Sequence, residues 1–497
     1  MADGREAVAP VGIAQPAGVR HVAVIGGGIA GLATAWYLRS LAATAGRPLR
    51  CTLYEASDRC GGKVLTEIVE CEEGTFVVEG GPDSFLNGQK PWAAQLAIEL
   101  GLAERLIGTN DAARKVFVLN RGKPVPLPDG VFLLVPTRFW PFVSSPLISP
   151  WGKLRMGMDL VLPARRDDSD ETMADFVRRR LGGEALDKIA EPLLAGIYSA
   201  EAERQSIMAT FPRFRELERR HGSLTRGMLT GRKRPAPTEQ PVDAAGHQIP
   251  KTIFLSFRGG TAELTDELAT RLAADVRRGT RVAGLEPCRD GYRLTLDGAG
   301  EDACEVDAVV AAVPAPVTAG LLRDAAPGVA AELRTIRYVD TGVISLAYRA
   351  ADVDARYGFG VLVPRSEKRP INAVTLSSTK FDGRAAAGCV LLRVFFGGSR
   401  SPRSMDLDDD ELLAIVRAQL RELLGVSAAP LFHRIQRWLQ ANPQYDVGHL
   451  DLVERIHSRL PAGLFITGSP YLGVGLPDCV HQAQQTARRV LGALSCR

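Results

Sequence analysis

The chain's first strong pattern is a short apolar run at residues 22–25, then a cluster of glycines, then a stretch at 33–41 whose apolar positions recur at helical spacing. A second apolar run at 49–54 follows. Strand, helix and strand in such quick succession read as a parallel βαβ unit. Apolar runs recur at 76–79, 116–118 and 124–127, the last two flanking a turn at 120–123 that predicts a hairpin. Helical spacing returns at 89–102, at 172–181 and 185–195 on either side of Gly182 and Gly183, at 262–274 and at 407–424. Short strands are expected from 254, around Val282, at 292–296 and at 308–313, where Pro314 ends the run. Beyond residue 320 the runs at 342–348, 360–364, 373–377 and 390–396 suit an antiparallel sheet forming one wall of a cavity. A last strand at 464–469 leads into a helix reaching about residue 494. The expected fold class is α/β: a Rossmann-like domain, an antiparallel-sheet domain and a small helical domain.

The glycines after the first run give this frame a chemistry. Gly26, Gly28 and Gly31 stand at G-x-G-x-x-G spacing, with Ile29 and Ala30 opening the helix. Gly26 permits the tight turn, Gly28 lets backbone approach a pyrophosphate, and Gly31 lets the helix pack closely on its strand. The free N–H groups of the first helical turn face the anion. Glu55 ends the second strand where such a unit places the acceptor for ribose hydroxyls. The turn Arg59, Cys60, Gly61, Gly62, Lys63 suits a second phosphate, the alternative being an exposed turn. Gly80, Gly81 and Pro82 make another glycine turn after the 76–79 strand. Near the far end, Gly468, then Val474, Gly475 and Leu476, precede Pro477 in the first turn of the last helix, where a helix N-terminus stabilises negative charge.

Composition narrows the field. The 497 residues suggest two to four domains, and a net charge of +4 is too mild to argue for nucleic acid. The eight cysteines lie far apart with no C-x-x-C pair, so neither a metal site nor a disulfide scaffold is expected, and a reducing compartment fits. No run of eighteen apolar residues exists. Residues 1–18 read as a loose tail and 231–250 as a disordered excursion. Between 131 and 151, Phe139, Trp140, Phe142 and Trp151 crowd among prolines, which suits either a cavity lining or a surface that dips into a lipid interface. The seven histidines are scattered, and no catalytic side chain stands out.

The order of the first glycine motif, Glu55, the Arg59 turn and Glu79-Gly80-Gly81-Pro82 resembles the FAD-containing oxidoreductases that include amine oxidases, phytoene desaturases and protoporphyrinogen oxidases. Ala195-Gly196-Ile197-Tyr198, followed by Phe211-Pro212 and closed by the Gly473 to Cys479 segment, is more similar to the oxygen-dependent protoporphyrinogen and coproporphyrinogen oxidases. Ala200, Glu201 and Ala202 depart from that family's usual Gly-Asp-Pro turn. The resemblance covers nearly everything from residue 20 onward. It implies FAD, with the Val282 backbone reaching its adenine and the last helix stabilising the reduced ring. It also implies a tetrapyrrole gripped by Leu362 and Phe395, with Gly196 beside it and Arg114 or Lys115 meeting its propionates. The implied reaction is oxidation of protoporphyrinogen IX by oxygen, with peroxide released, in heme biosynthesis; the coproporphyrinogen III reaction is the alternative. An amine- or carotenoid-type flavin oxidase and a non-enzymatic binding protein of the same fold also stay open. The implied division is 19–90, 251–316 and 458–497 for FAD, 91–119 and 317–457 for substrate, and 120–229 for a mainly helical, membrane-facing part. Location in the cytoplasm, peripheral contact with the cytoplasmic membrane and a homodimer complete the expectations.

Overall fold

A computed structural model describes residues 19–132, 134–136, 138–231, 249–298 and 302–495. The tail at 1–18 and most of the excursion expected at 231–250 lie outside the described residues. The far edge of that excursion is corrected: Ile249 is buried in the main core, so the ordered chain resumes before residue 251.

Arg20–Ile25 is the centre of a five-stranded parallel sheet, with Leu49–Tyr54 and then Val276–Arg277 on one side and Ala308–Ala311 and then Leu464–Ile466 on the other. Side chains alternate across a strand, so Val22 and Val24 enter the core under the helices Ile29–Thr44 and Leu476–Ser495. Ala23 and Ile25 enter a second core on the opposite face. That core is covered by the antiparallel strands Thr280–Cys288, Gly291–Gly298 and Ala303–Val306. Burial on both faces is why these strands read as continuous apolar runs.

The second large sheet runs, in order, Phe432–Pro443, Tyr338–Arg349, Cys389–Gly397, Ala373–Leu376, Gly360–Leu362, Val116–Asn120 and Lys123–Pro126. The four runs expected to form an antiparallel sheet do so, and Val116–Asn120 joins them parallel to Gly360–Leu362. The hairpin turn holds Arg121 and Gly122 at φ 55° and 74°, the left-handed geometry that two-residue hairpins require.

Short helices between 139 and 231 surround a third core. One buried cation ties them together. Arg180 donates Nε to Asp159 at 2.7 Å, Nη1 to the carbonyls of Leu162 and Pro163, and Nη2 to those of Asp159 and Gly222. Asp159 also accepts from Ser223 Oγ and Thr225 N at 2.7 and 2.8 Å, and both charged side chains are fully buried. Removing one member of such a pair leaves the other uncompensated. Asp159→Ala is expected to cost about 3–5 kcal/mol in a denaturant titration, whereas a loss under about 1 kcal/mol would mean the pair contributes little.

Candidate active site

Gly26, at φ 104°, donates its N–H to the Tyr54 carbonyl at 2.8 Å and turns the chain from strand to helix. A Cβ on Gly31 would lie 1.9 Å from the Gly26 carbonyl oxygen, so only glycine allows this helix to sit so near its strand. Gly28 is the N-cap with no side-chain capping bond, and a Cβ there would meet open space. The first-turn N–H groups of the Ile29–Thr44 helix therefore open onto a cavity without a capping acceptor. Gly61 donates to the Gly27 carbonyl at 2.8 Å, which sets the second glycine turn against the first.

Glu55 lies on the cavity wall, where one carboxylate oxygen accepts from Gly27 N at 2.6 Å and the other from Ser57 N and Oγ. It props the glycine turn, and a carboxylate retains further lone pairs for hydroxyl donors. Arg59 folds over its own turn, donating to the carbonyls of Cys60, Gly62 and Val64. Lys63 donates to the Ala441 carbonyl, and burial lowers its ammonium to about 8.

The last helix reaches the same place from the other end of the chain. A Cβ on Gly468 would come within 3.2 Å of the Ala30 Cβ. Lys90 and Asp478 form an ion pair at 2.7 Å that fastens the helix start. Tyr445, fully buried, donates its hydroxyl to the Ser469 carbonyl and accepts from Gly473 N at 2.9 Å, clamping the loop before the helix. Burial pushes this phenol well above its usual range. Gly80 and Gly81 pass between the two ends: Trp438 Nε1 donates to the Gly80 carbonyl at 2.7 Å, and Arg393 donates to that of Gly81.

These segments enclose part of one cavity of about 2980 Å³. A typical ligand pocket holds roughly 300–1,000 Å³, so there is room for a dinucleotide and a second large molecule. The floor of the rest is the seven-stranded sheet. Leu362, Ala373, Phe395 and Val343 pair in one cross-strand row and share a face on the cavity wall. Two residues along, Arg393 lies with its guanidinium carbon 4.9 Å from the centroid of the Phe395 ring. Asp83 pairs with Lys380 at 3.0 Å; burial would raise its carboxyl, but Lys380 and Arg393 outweigh that and hold it well below the usual range.

Of the residues read from sequence, the cavity wall brings together Gly26, Gly28, Ile29, Ala30, Glu55, Arg59, Gly61, Gly62 and Lys63 with Gly80, Gly81, Pro82, Gly468, Val474, Gly475 and Leu476. Arg114, Lys115, Leu362 and Phe395 line the same space. Gly31 does not, since its place is in the helix–strand contact. Val282 packs its side chain into the second core, on a strand that starts from a bond between Thr280 N and the Glu55 carbonyl. Gly196 falls in the helix Glu191–Tyr198, but its surroundings lie outside the described residues. Arg393, Arg400, Lys380 and Trp438 also line this cavity and Tyr445 clamps the loop beside it, and the sequence reading named none of them. Only the aromatic and basic composition around them offered a signal.

The uncapped helix start, the back-to-back glycine turns and the size of the cavity fit FAD, and the residues just named around Gly28 and Gly475 would hold it. Fold and site define a dinucleotide-binding flavoenzyme of the oxidoreductase type. The chain belongs to the family of flavin containing amine oxidoreductases, whose model matches residues 29–491. It is 33% identical to the coproporphyrinogen III oxidase of Bacillus subtilis (strain 168), over 94% of this chain and 97% of the relative. It is 30% identical to the chloroplastic protoporphyrinogen oxidase of Nicotiana tabacum, over 97% and 87%. A crystal structure from Exiguobacterium sp. 255-15 matches with a TM-score of 0.81 at 29% identity, covering 96% of this chain and 99% of that one.

Gly31→Ala tests the cradle. The added methyl must push the helix off its strand, at about 1–3 kcal/mol. The expected result is a folded protein that purifies with little flavin absorbance, and full flavin content would contradict the role given to the close contact.

Proposed function

We propose that this protein oxidises coproporphyrinogen III to coproporphyrin III in heme biosynthesis, with oxygen as acceptor and hydrogen peroxide as product. The observation that carries the reading is the single cavity that runs from the glycine cradle to an apolar sheet row bordered by cations. A porphyrinogen is a broad apolar ring fringed with carboxylates, and such a wall suits both parts. FAD held by the turns around Gly28 and Gly475 would supply the hydride acceptor and the route for electrons to oxygen.

The chain's own residues bind and orient. Leu362 and Phe395 offer an apolar platform, and Arg114 and Lys115, exposed at the edge of the cavity, offer cations to propionates. The sequence resemblance alone points first to protoporphyrinogen IX. Two considerations favour coproporphyrinogen III: the relative covered over 97% of its length carries that name, and the wall holds cations away from Arg114 as well as beside it. Both porphyrinogens, offered under air and followed by porphyrin fluorescence, test this. We expect kcat/KM to favour coproporphyrinogen III by at least about tenfold, equivalent to about 1.4 kcal/mol. Preference for protoporphyrinogen IX, or oxidation of neither, would overturn the reading.

The protein's place is proposed to be the cytoplasm, resting on a lipid surface. No helix among the described residues is long and apolar enough to cross a membrane. Trp151, Leu154 and Met158 form an i, i+3, i+7 stripe on and just beyond Pro150–Gly157, with Trp151 80% exposed, and Val161 extends it. The neighbouring helix Phe139–Ser144 carries exposed Trp140 while its Pro141 and Ser144 line the cavity, so this surface adjoins the cavity wall. The protein should co-sediment with phosphatidylglycerol vesicles, and Trp151→Ser combined with Leu154→Ser should abolish this. Wild-type protein that stays in the supernatant would contradict it.

A further inference from the structure

The wall of the substrate half has a direction. Because Val116–Asn120 lies parallel to Gly360–Leu362 with Val116 opposite Gly360 and Val118 opposite Leu362, Arg114 and Lys115 stand before the strands' starts. Arg400 stands at the other end. It donates to the carbonyls of Val363 and Asn372, which lie one residue beyond the row of Leu362 and Ala373 on the side away from Arg114. At about 3.3 Å of strand per residue, the two groups of cations are separated by something on the order of 15 Å, with the Leu362 and Phe395 platform between them.

Arg400 also differs in kind from other buried arginines here. Arg180 has Asp159 as counter-ion and spends all its donors, and Arg393 and Arg384 face Asp83 and Glu79. Arg400 touches only neutral carbonyls, and no carboxylate among the described residues comes within ion-pair distance of it. The carboxylate that influences it, Glu191, is held by Arg365 at 2.9 Å. Burial accordingly lowers the guanidinium to about 10 in spite of Glu191. Its Nε donates to no described residue, and the side chain is on the cavity wall. A half-buried cation with donors to spare and no anion is incomplete by itself.

We infer that Arg400 receives a substrate carboxylate at the end of the cavity opposite Arg114 and Lys115, and so selects a ring with carboxylates on both edges. The inference rests on the porphyrinogen reading above. Coproporphyrinogen III carries a propionate on every pyrrole ring, whereas protoporphyrinogen IX has vinyl groups along one edge. A ring of the second kind can satisfy the Arg114 end or the Arg400 end, but not both at once. Arg400 is a specificity-determining residue on this account. It takes no part in moving hydride, so its contact is equally present before and during the reaction.

The test is the ratio of kcat/KM for coproporphyrinogen III to that for protoporphyrinogen IX, measured on flavin-loaded wild type, Arg400→Gln and Arg400→Lys. A charge-assisted hydrogen bond lost from binding should lower that ratio on the order of ten- to a hundredfold in Arg400→Gln. The change should lie in KM for coproporphyrinogen III with kcat moved far less. Arg400→Lys, which keeps the charge, should recover part of the ratio and serves where the glutamine variant folds poorly. Equal losses on both substrates, or a fall in flavin content that accounts for the loss, would assign Arg400 to structure and sink the inference while leaving the porphyrinogen reading intact. Wild-type protein that oxidises neither substrate would remove the reading itself.

Discussion

The constraint on which the structure depends is the contact of Gly31 with the Gly26 carbonyl, where helix and strand are closer than any Cβ permits. It sets the position of the Ile29–Thr44 helix, and that helix is the partner on which Leu476–Ser495 packs in the main core. The two helices therefore bring their N-termini to one place, at Gly28 and Gly475. Each terminus carries the equivalent of roughly half a positive charge. Placed side by side and facing a cavity they repel each other, and the repulsion is relieved when an anion lies between them. The attraction for a dinucleotide is thus built into the backbone, with Lys63 on the wall beside it.

The second sheet contributes a surface of a different character. Its core-facing residues, among them Ile344, Val394 and Phe396, join the helix Asp409–Leu424 in an ordinary apolar core. Its other face turns Phe395 and Leu362 toward the cavity. The alternation of a strand lets one segment do both. Buried ions near the boundary, Glu79 with Thr261 and Arg384, and Asp83 with Lys380, hold the glycine turn at Gly80 and Gly81 against this sheet. The cofactor cradle and the platform are consequently one rigid piece, joined through Trp438, Arg393 and Tyr445.

Much of this was legible because it obeys local rules. Glycine spacing, the apolar run at 22–25 and the turn at 120–123 depend on neighbours in sequence, and each appears in place. What could not be read depends on partners far along the chain. Phe432–Pro443 carries Arg434, Arg437 and Gln436 in an edge position and shows no clean alternation, yet it supplies Trp438 to the site. The parallel pairing of Val116–Asn120 has no local signature. Arg393 and Arg400 look like any arginines beside an apolar run until the fold shows which has an anion and which has none among the described residues. Val282 reads as a strand residue and is one, with its side chain in the second core.

The order of the segments along the chain bears on how the protein matures. Residues 464–495 provide the sheet's outer parallel strand, the loop clamped by Tyr445 and the second helix of the cradle. A ribosome translating from the N-terminus delivers them after every other part of the cavity wall. Until they emerge, the nascent polypeptide has an open sheet edge at Ala308–Ala311 and half an anion site. A site with both helix starts therefore exists only after Leu476–Ser495 has been made, and the same step that completes the sheet also completes the cradle.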